Sequence, residues 1–94
     1  MNRGLVTISI PTYRRPSLLL HALHSCFVQD YRPLEVDIGD DSPGSETEQL
    51  ISNLSVPSGI TLRYVWNRAS LGQAGNVNSL FSRARGERLM LLHD

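Results

Sequence analysis

The chain has 94 residues and a mass of 10.5 kDa, which is room for one small domain or part of a larger one and excludes a two-domain enzyme within this stretch. Hydrophobic residues at 40% and charged residues at 19% supply enough core material, and too little net charge, to exclude a disordered tail. Nine basic side chains balance nine acidic ones, so no whole-molecule field draws in a nucleic-acid polymer or an anionic membrane.

All nine basic residues are arginine. The absence of lysine removes P-loop chemistry, Schiff-base chemistry and the lysine of a phospho-receiver domain, and leaves guanidinium groups and backbone amides as donors to phosphate. The single cysteine, Cys26, has no partner for an internal disulfide. It lies in an apolar helical pattern where a buried thiol is the ordinary reading, with a lean to the cytoplasm. Met1–Gly4 is followed by six strand-like residues before Pro11, too short for a signal-peptide core. No apolar run approaches the ~20 residues that span a bilayer.

In chain order, Leu5–Ile10 reads as a buried strand stopped sharply by Pro11, with a loop through Pro16. Leu19, Leu20, Leu23, Cys26 and Phe27 recur at helical spacing within Ser17–Gln29, with Pro16 or Ser17 at the helix start. Leu34–Gly39 is a second strand, ending at Asp40-Asp41-Ser42-Pro43-Gly44. Ser45-Glu46-Thr47-Glu48 is a capping-box pattern that predicts a helix to about Leu54. Ile60, Leu62, Tyr64 and Trp66 alternate with Thr61, Arg63 and Val65 as in an edge strand. Ala74, Val77, Leu80, Phe81 and Ala84 form a third helical stripe ending near Gly86, and Arg88–Leu92 is a fourth strand, apolar on both faces, closed by His93-Asp94.

Strands alternating with helices predict an α/β fold: a mostly parallel sheet of about four strands with three crossover helices. Ligands in such sheets bind at the carboxyl ends of the strands. The unusual polar residues collect there, at Pro11–Arg15, Asp40–Asp41, Asn67–Gly75 and His93–Asp94. Thr12, Tyr13, Arg14 and Arg15 combine a hydroxyl, an aromatic face and two guanidinium groups, suited to a base, a ribose and phosphates, or to a solvated turn. Asp40 and Asp41 suit a base N–H, ribose hydroxyls or a cation, unless one of them caps the following turn. Asp37, inside a strand, needs a partner that the sequence does not name. Gly72-Gln73-Ala74-Gly75 opens the third helix either to a ligand at its free amides or to close packing. His93-Asp94 delivers a carboxylate suited to magnesium or manganese, whereas His21 and His24 read as surface residues.

The residues resemble the nucleotide-binding, Rossmann-like N-terminal half of a GT-A fold, family 2 glycosyltransferase. The likeness rests on Val6–Pro16, on Gln29-Asp30-Tyr31 before Leu34-Glu35-Val36, on Gly39–Ser42, on Asn67 with Leu71-Gly72 and Gly75–Asn78, and on Ala84–Glu87 leading to Leu91–Asp94. It implies a nucleotide-diphosphate sugar with its base near Pro11, Thr12 and Tyr13, Asp41 on the base or ribose, Arg14 towards the same pocket, and the Gly72–Asn76 loop closing around it. It also implies a divalent ion, Mg or Mn, at the end of the fourth strand, where His93 falls at the first acidic position of the family's metal motif and Asp94 at the middle one. The principal metal-binding aspartate is then expected just after the chain stops, and residues 1–94 read as one partial domain, truncated at its C-terminal end.

The implied parent is an inverting, metal-dependent enzyme of polysaccharide or glycoconjugate assembly. It moves a sugar to an acceptor hydroxyl of a glycan or lipid-linked acceptor at the cytoplasmic face of a membrane. No residue here is read as its catalytic base. The alternative is a catalytically inactive module binding a nucleotide or a protein. The apolar fourth strand also predicts self-association.

Overall fold

A computed structural model describes residues 4–94; Met1, Asn2 and Arg3, part of the N-terminal reading above, lie outside the described residues. Strands β1 (Val6–Thr12), β2 (Leu34–Asp40), β3 (Ile60–Trp66) and β4 (Arg88–Leu91) alternate with helices α1 (Pro16–Phe27), α2 (Glu46–Ser52) and α3 (Gly72–Arg83). All three strand pairings are parallel, in the order β3-β2-β1-β4. The expected α/β architecture is therefore present, with the predicted edge strand β3 at one side and β4 at the other. No helix among the described residues is long and apolar enough to cross a membrane.

The register gives the sheet two different faces, because side chains alternate along each strand. Ile8, Ile10, Val36 and Ile38 point to the face that packs on Leu19, Leu23 and Cys26 of α1, and this is the apolar core. Ile51 and Leu54, in and just after α2, pack against the same cluster. Each fully buried aliphatic side chain of this kind contributes about 1.5–3 kcal/mol. The opposite face carries Thr7 and Ser9 of β1 beside Glu35 and Asp37 of β2, all buried, and α3 covers it.

That polar face changes how α3 packs. Its buried side chains are Asn76 and Leu80, with Arg83 continuing the same stripe; of the apolar stripe expected from Ala74 to Ala84, Leu80 is buried as expected, whereas Ala74 and Phe81 are exposed. A carboxylate-lined surface is better matched by an amide and a guanidinium than by a row of aliphatics. Gly39 lets α3 approach closely, since a Cβ there would lie 2.4 Å from Asn76 Oδ1 and 3.1 Å from Leu80 Cγ.

Three local expectations need correction. β1 does not stop before Pro11 but continues to Thr12. Backbone groups alternate sides: Thr12 C=O accepts from Asp41 on the β2 side, and Ser9 C=O accepts from Leu92 on the β4 side. Pro11 is in phase with Ser9, so its missing N–H faces the side where β4 has already ended. The capping box at Ser45 does not form, and Ser45 Oγ instead accepts from Gln49 Nε2 at 3.1 Å. β4 ends at Leu91 rather than Leu92, and as an outer strand it leaves all four of its residues exposed.

The Gly39 contact makes a stability prediction. Gly39→Ala is expected to lower stability by about 1–3 kcal/mol through overpacking against Asn76 and Leu80, read as a lower urea midpoint with an unchanged slope.

Candidate functional site

Because β2 and β3 lie to one side of β1 and β4 to the other, the sheet reverses its order between β1 and β4, where open α/β sheets form a ligand crevice. A cavity of about 420 Å³ opens at these carboxyl ends, within the ~300–1,000 Å³ typical of small-molecule sites. The end of β1 lines it with Pro11 and Thr12, the loop that follows with Tyr13 and Arg15, and the segment after β4 with His93 and Asp94. Asp41 follows β2, and Ser70, Gly72, Gln73 and Asn76 come from the start of α3. The structure thus brings together Pro11, Thr12, Tyr13, Asp41, Gly72, Asn76 and Asp94.

Arg14 is the exception among the predicted site residues. It lines a neighbouring cavity of about 460 Å³ with Pro16, Ser42 and Glu46. The cause is local: Arg14 has φ 55°, its amide donates to Ser42 Oγ at 2.8 Å, and its guanidinium rests over the Tyr13 ring, 5.6 Å from the centroid. That turn presents Arg15, not Arg14, to the first cavity. Arg15, Ser70, Gln73 and His93 were all within the polar stretches singled out above, but residue type alone did not rank them over their neighbours.

The adjacent carboxylates separate into two roles. Asp40 is fully buried; one oxygen accepts from the Ser42 amide at 2.9 Å and the other from the Tyr64 hydroxyl. It caps the turn after β2. Burial first, and then this carboxylate, push the Tyr64 hydroxyl's pKa up from its usual value. Asp41 points the other way and clasps the loop before α3. Its Oδ1 accepts from the Leu71 amide at 2.8 Å and Asn67 Nδ2 at 3.2 Å, and its Oδ2 from Ser70 Oγ at 2.6 Å and the Gly72 amide at 3.0 Å. Burial alone would raise its pKa, but these donors outweigh it and hold the carboxyl below the usual 3.8.

Gly72 takes φ 74°, a backbone state that favours glycine, with open space where a Cβ would stand. Asn76 is buried; its Nδ2 donates to the Gly39 carbonyl at 2.9 Å, and its Oδ1 accepts from Asn67 Nδ2 at 3.0 Å. At the other wall Thr12 Oγ1 donates to Asp94 Oδ2, and Arg15 Nη1 lies 3.7 Å from Asp94 Oδ1. Strand ends β1 and β4 are thereby tied across the crevice.

The described residues do not by themselves make a site for the implied divalent ion. No group of three or more His, Cys, Asp or Glu side chains among them is placed to hold a metal. Asp94 already meets a hydroxyl and a guanidinium, and the oxygens of Asp41 are taken by the loop. His21 and His24 are exposed on α1.

The Asp41 clasp sets two expectations. Asp41→Ala removes the acceptor for two backbone amides, and is expected to cost about 2–3 kcal/mol and to speed hydrogen exchange at Leu71 and Gly72 selectively. Because the folded-state pKa of Asp41 lies below its unfolded value, its contribution is present above pH ~3.8 and is lost as pH falls through the lower folded value. Urea titrations of Asp41→Asn between pH 2 and pH 6 should show a shallower loss on acidification than the parent.

The arrangement matches known proteins. The family model for glycosyl transferase family 2 aligns with residues 7–94. The chain is 28% identical over 89 residues to the GalNAc(5)-diNAcBac-PP-undecaprenol beta-1,3-glucosyltransferase of Campylobacter jejuni, covering 95% of this chain and 29% of that protein. Among solved structures, the mannosyltransferase PcManGT from Pyrobaculum calidifontis, in complex with GDP-Man and Mn2+, superposes with a TM-score of 0.81 at 24% identity, over 98% of this chain and 28% of that one. S. aureus TarS superposes with a TM-score of 0.76 at 21% identity, over 94% of this chain and 16% of that one. At these identities the superpositions speak to the fold, which is the GT-A type expected. With the family model matched over nearly its whole length, the chain belongs to glycosyl transferase family 2.

Proposed function

We propose that this chain is the donor-binding part of a glycosyltransferase and holds a nucleotide-diphosphate sugar in the cavity between the ends of β1 and β4. The observation that carries this reading is the convergence, on one crevice at the sheet's reversal point, of an aromatic ring, a guanidinium group and a helix start. Tyr13 is half-exposed and offers its ring to the base, with Pro11 and Thr12 beside it. Asp41 takes the base or ribose; since about four acceptor positions on a carboxylate are already filled, a ligand N–H or O–H replaces the exposed Ser70 hydroxyl. Arg15 and the first turn of α3 face the diphosphate.

The reaction proposed for the whole protein is a single in-line displacement with inversion. The acceptor oxygen bonds to the anomeric carbon as the bond from that carbon to the diphosphate breaks; the nucleoside diphosphate leaves, and the hydroxyl proton passes to a general base that is not assigned here. The C. jejuni relative's name specifies an undecaprenol-diphosphate-linked glycan, and a glycan or lipid-linked acceptor is proposed here by that likeness; the cytoplasmic face of a membrane is proposed from the family resemblance alone. No step is assigned to a metal or to a general base among these residues.

Calorimetric titration with UDP, dTDP and GDP, with and without manganese, tests the reading. Expected are binding of one of the three in the micromolar-to-millimolar range, little dependence on manganese because Asp94 is already engaged, and loss of roughly tenfold or more in Asp41→Ala. A folded chain that binds none of them overturns the reading in favour of an inactive interaction module. The exposed outer edge of β4, with Met90 57% exposed and Leu89 and Leu91 each 40%, leads us to expect self-association as well; sedimentation should show the weight-average mass rising with concentration, and a monomer throughout contradicts it.

A further inference from the structure

Asp37 is fully buried within β2, where a carboxylate needs a partner. The partner comes from the far end of α3. Arg83 Nε lies 3.1 and 3.0 Å from the two Asp37 oxygens, Nη2 donates to the Ile38 carbonyl at 3.1 Å, and Nη1 to Ser79 Oγ at 3.0 Å. Seven residues earlier on the same stripe, Asn76 is bonded to the Gly39 carbonyl, with buried Leu80 between them. Two polar fastenings about 10 Å apart along the helix hold α3 to consecutive residues of one strand.

Such a pair is a poor source of net stability, because desolvation offsets most of the attraction and an apolar pair would serve as well. Burial in fact pushes the Asp37 carboxyl up from its usual pKa, and the Arg83 charge and hydrogen bonds oppose this without cancelling it. What a directional contact adds over an apolar one is a defined position: one guanidinium N–H is shared between both Asp37 oxygens while the other two nitrogens are fixed to Ser79 and Ile38. That position reaches the cavity: Asn76 Oδ1 accepts from Asn67 Nδ2, which also reaches Asp41, the clasp of the Ser70–Gly72 turn. We propose that Asp37 and Arg83 are a positioning pair for the nucleotide cavity, setting where α3 lies along β2 and, through Asn76 and Asn67, the placement of the turn on Asp41. The proposal deepens the donor-site reading and rests on it for the identity of the ligand.

The test compares Arg83→Ala, Arg83→Lys and the double variant Asp37→Val with Arg83→Leu against Arg85→Ala, which loses the Glu35 contact beyond the end of α3. Hydrogen exchange at the Leu71 and Gly72 amides is read without ligand, the urea midpoint alongside it, and the Kd by calorimetry for whichever of UDP, dTDP and GDP the parent binds. Arg83→Ala is expected to speed exchange at both amides and to weaken binding about 3- to 10-fold, Arg83→Lys to recover part of each, and Arg85→Ala to change neither. The double variant is expected to regain the midpoint but not the exchange protection or the affinity, and it carries the test if Arg83→Ala does not fold. Equal exchange in the Arg83 and Arg85 variants, or parent-like exchange in the double variant, overturns the proposal. If the parent binds none of the three nucleotides, the donor-site reading fails, while the exchange comparison still decides the positioning role.

Discussion

The structure depends on neutralising two carboxylates buried in the central strand β2. Glu35 and Asp37 lie on the face away from the apolar core, at 1% and 0% exposure, and a desolvated charge there needs a bonded partner. Every partner arrives from the segment around and after α3 or from the neighbouring strands. Arg83 takes Asp37, Arg85 takes Glu35 through both its amide and its guanidinium, and the Thr7 hydroxyl donates to Glu35 while accepting from the Gly86 amide. For Glu35, burial raises the pKa but these donors more than compensate, leaving it below its usual 4.5. Arg83 thus sets the seat of α3 on this face and with it one wall of the cavity, while the backbone amides of Arg85 and Gly86 fix the path of the chain into β4.

The same logic of satisfied carboxylates builds the site itself. Asp40 and Asp41 sit at the end of β2 and Asp94 just past β4, yet each is directed differently by its donors. Asp40 turns inward to the Ser42 amide and Tyr64, Asp41 turns to the loop before α3, and Asp94 crosses to Thr12 and Arg15. The crevice is therefore framed by hydrogen bonds between segments that are distant in sequence, and its shape follows from the sheet order β3-β2-β1-β4. Membership of glycosyl transferase family 2 is consistent with that frame, and the chain spans 29% and 33% of the length of two relatives it matches.

Much of this was legible from residue patterns. The alternation in Ile60–Trp66 located β3 to the residue, since one-sided burial imposes period two. The helical recurrence of Leu19, Leu23 and Cys26 located the buried face of α1. The clustering of polar residues at strand ends pointed to the crevice, because parallel sheets place their loops there. The stripe of α3 was legible only at Leu80, because periodicity counts apolar side chains, whereas the surface beneath this helix is charged and also selects Asn76 and Arg83. Pro11 was misread because a proline breaks a ladder only on the side where a partner is present, and that side is decided by the length of β4.

What the sequence by itself determined was the series of elements, the parallel class of the sheet and the end of it at which polar chemistry gathers. Hydrophobic period and turn residues act locally, and these properties follow from local rules. What only the tertiary structure decided was which of two neighbours does what: Asp40 or Asp41, Arg14 or Arg15, and the partner of Asp37. Those assignments turn on backbone direction at a single residue, φ 55° at Arg14, and on contacts such as Asp37 with Arg83 that span 46 positions. A side chain's role there is set by the donor that folding brings to it, which no local pattern encodes.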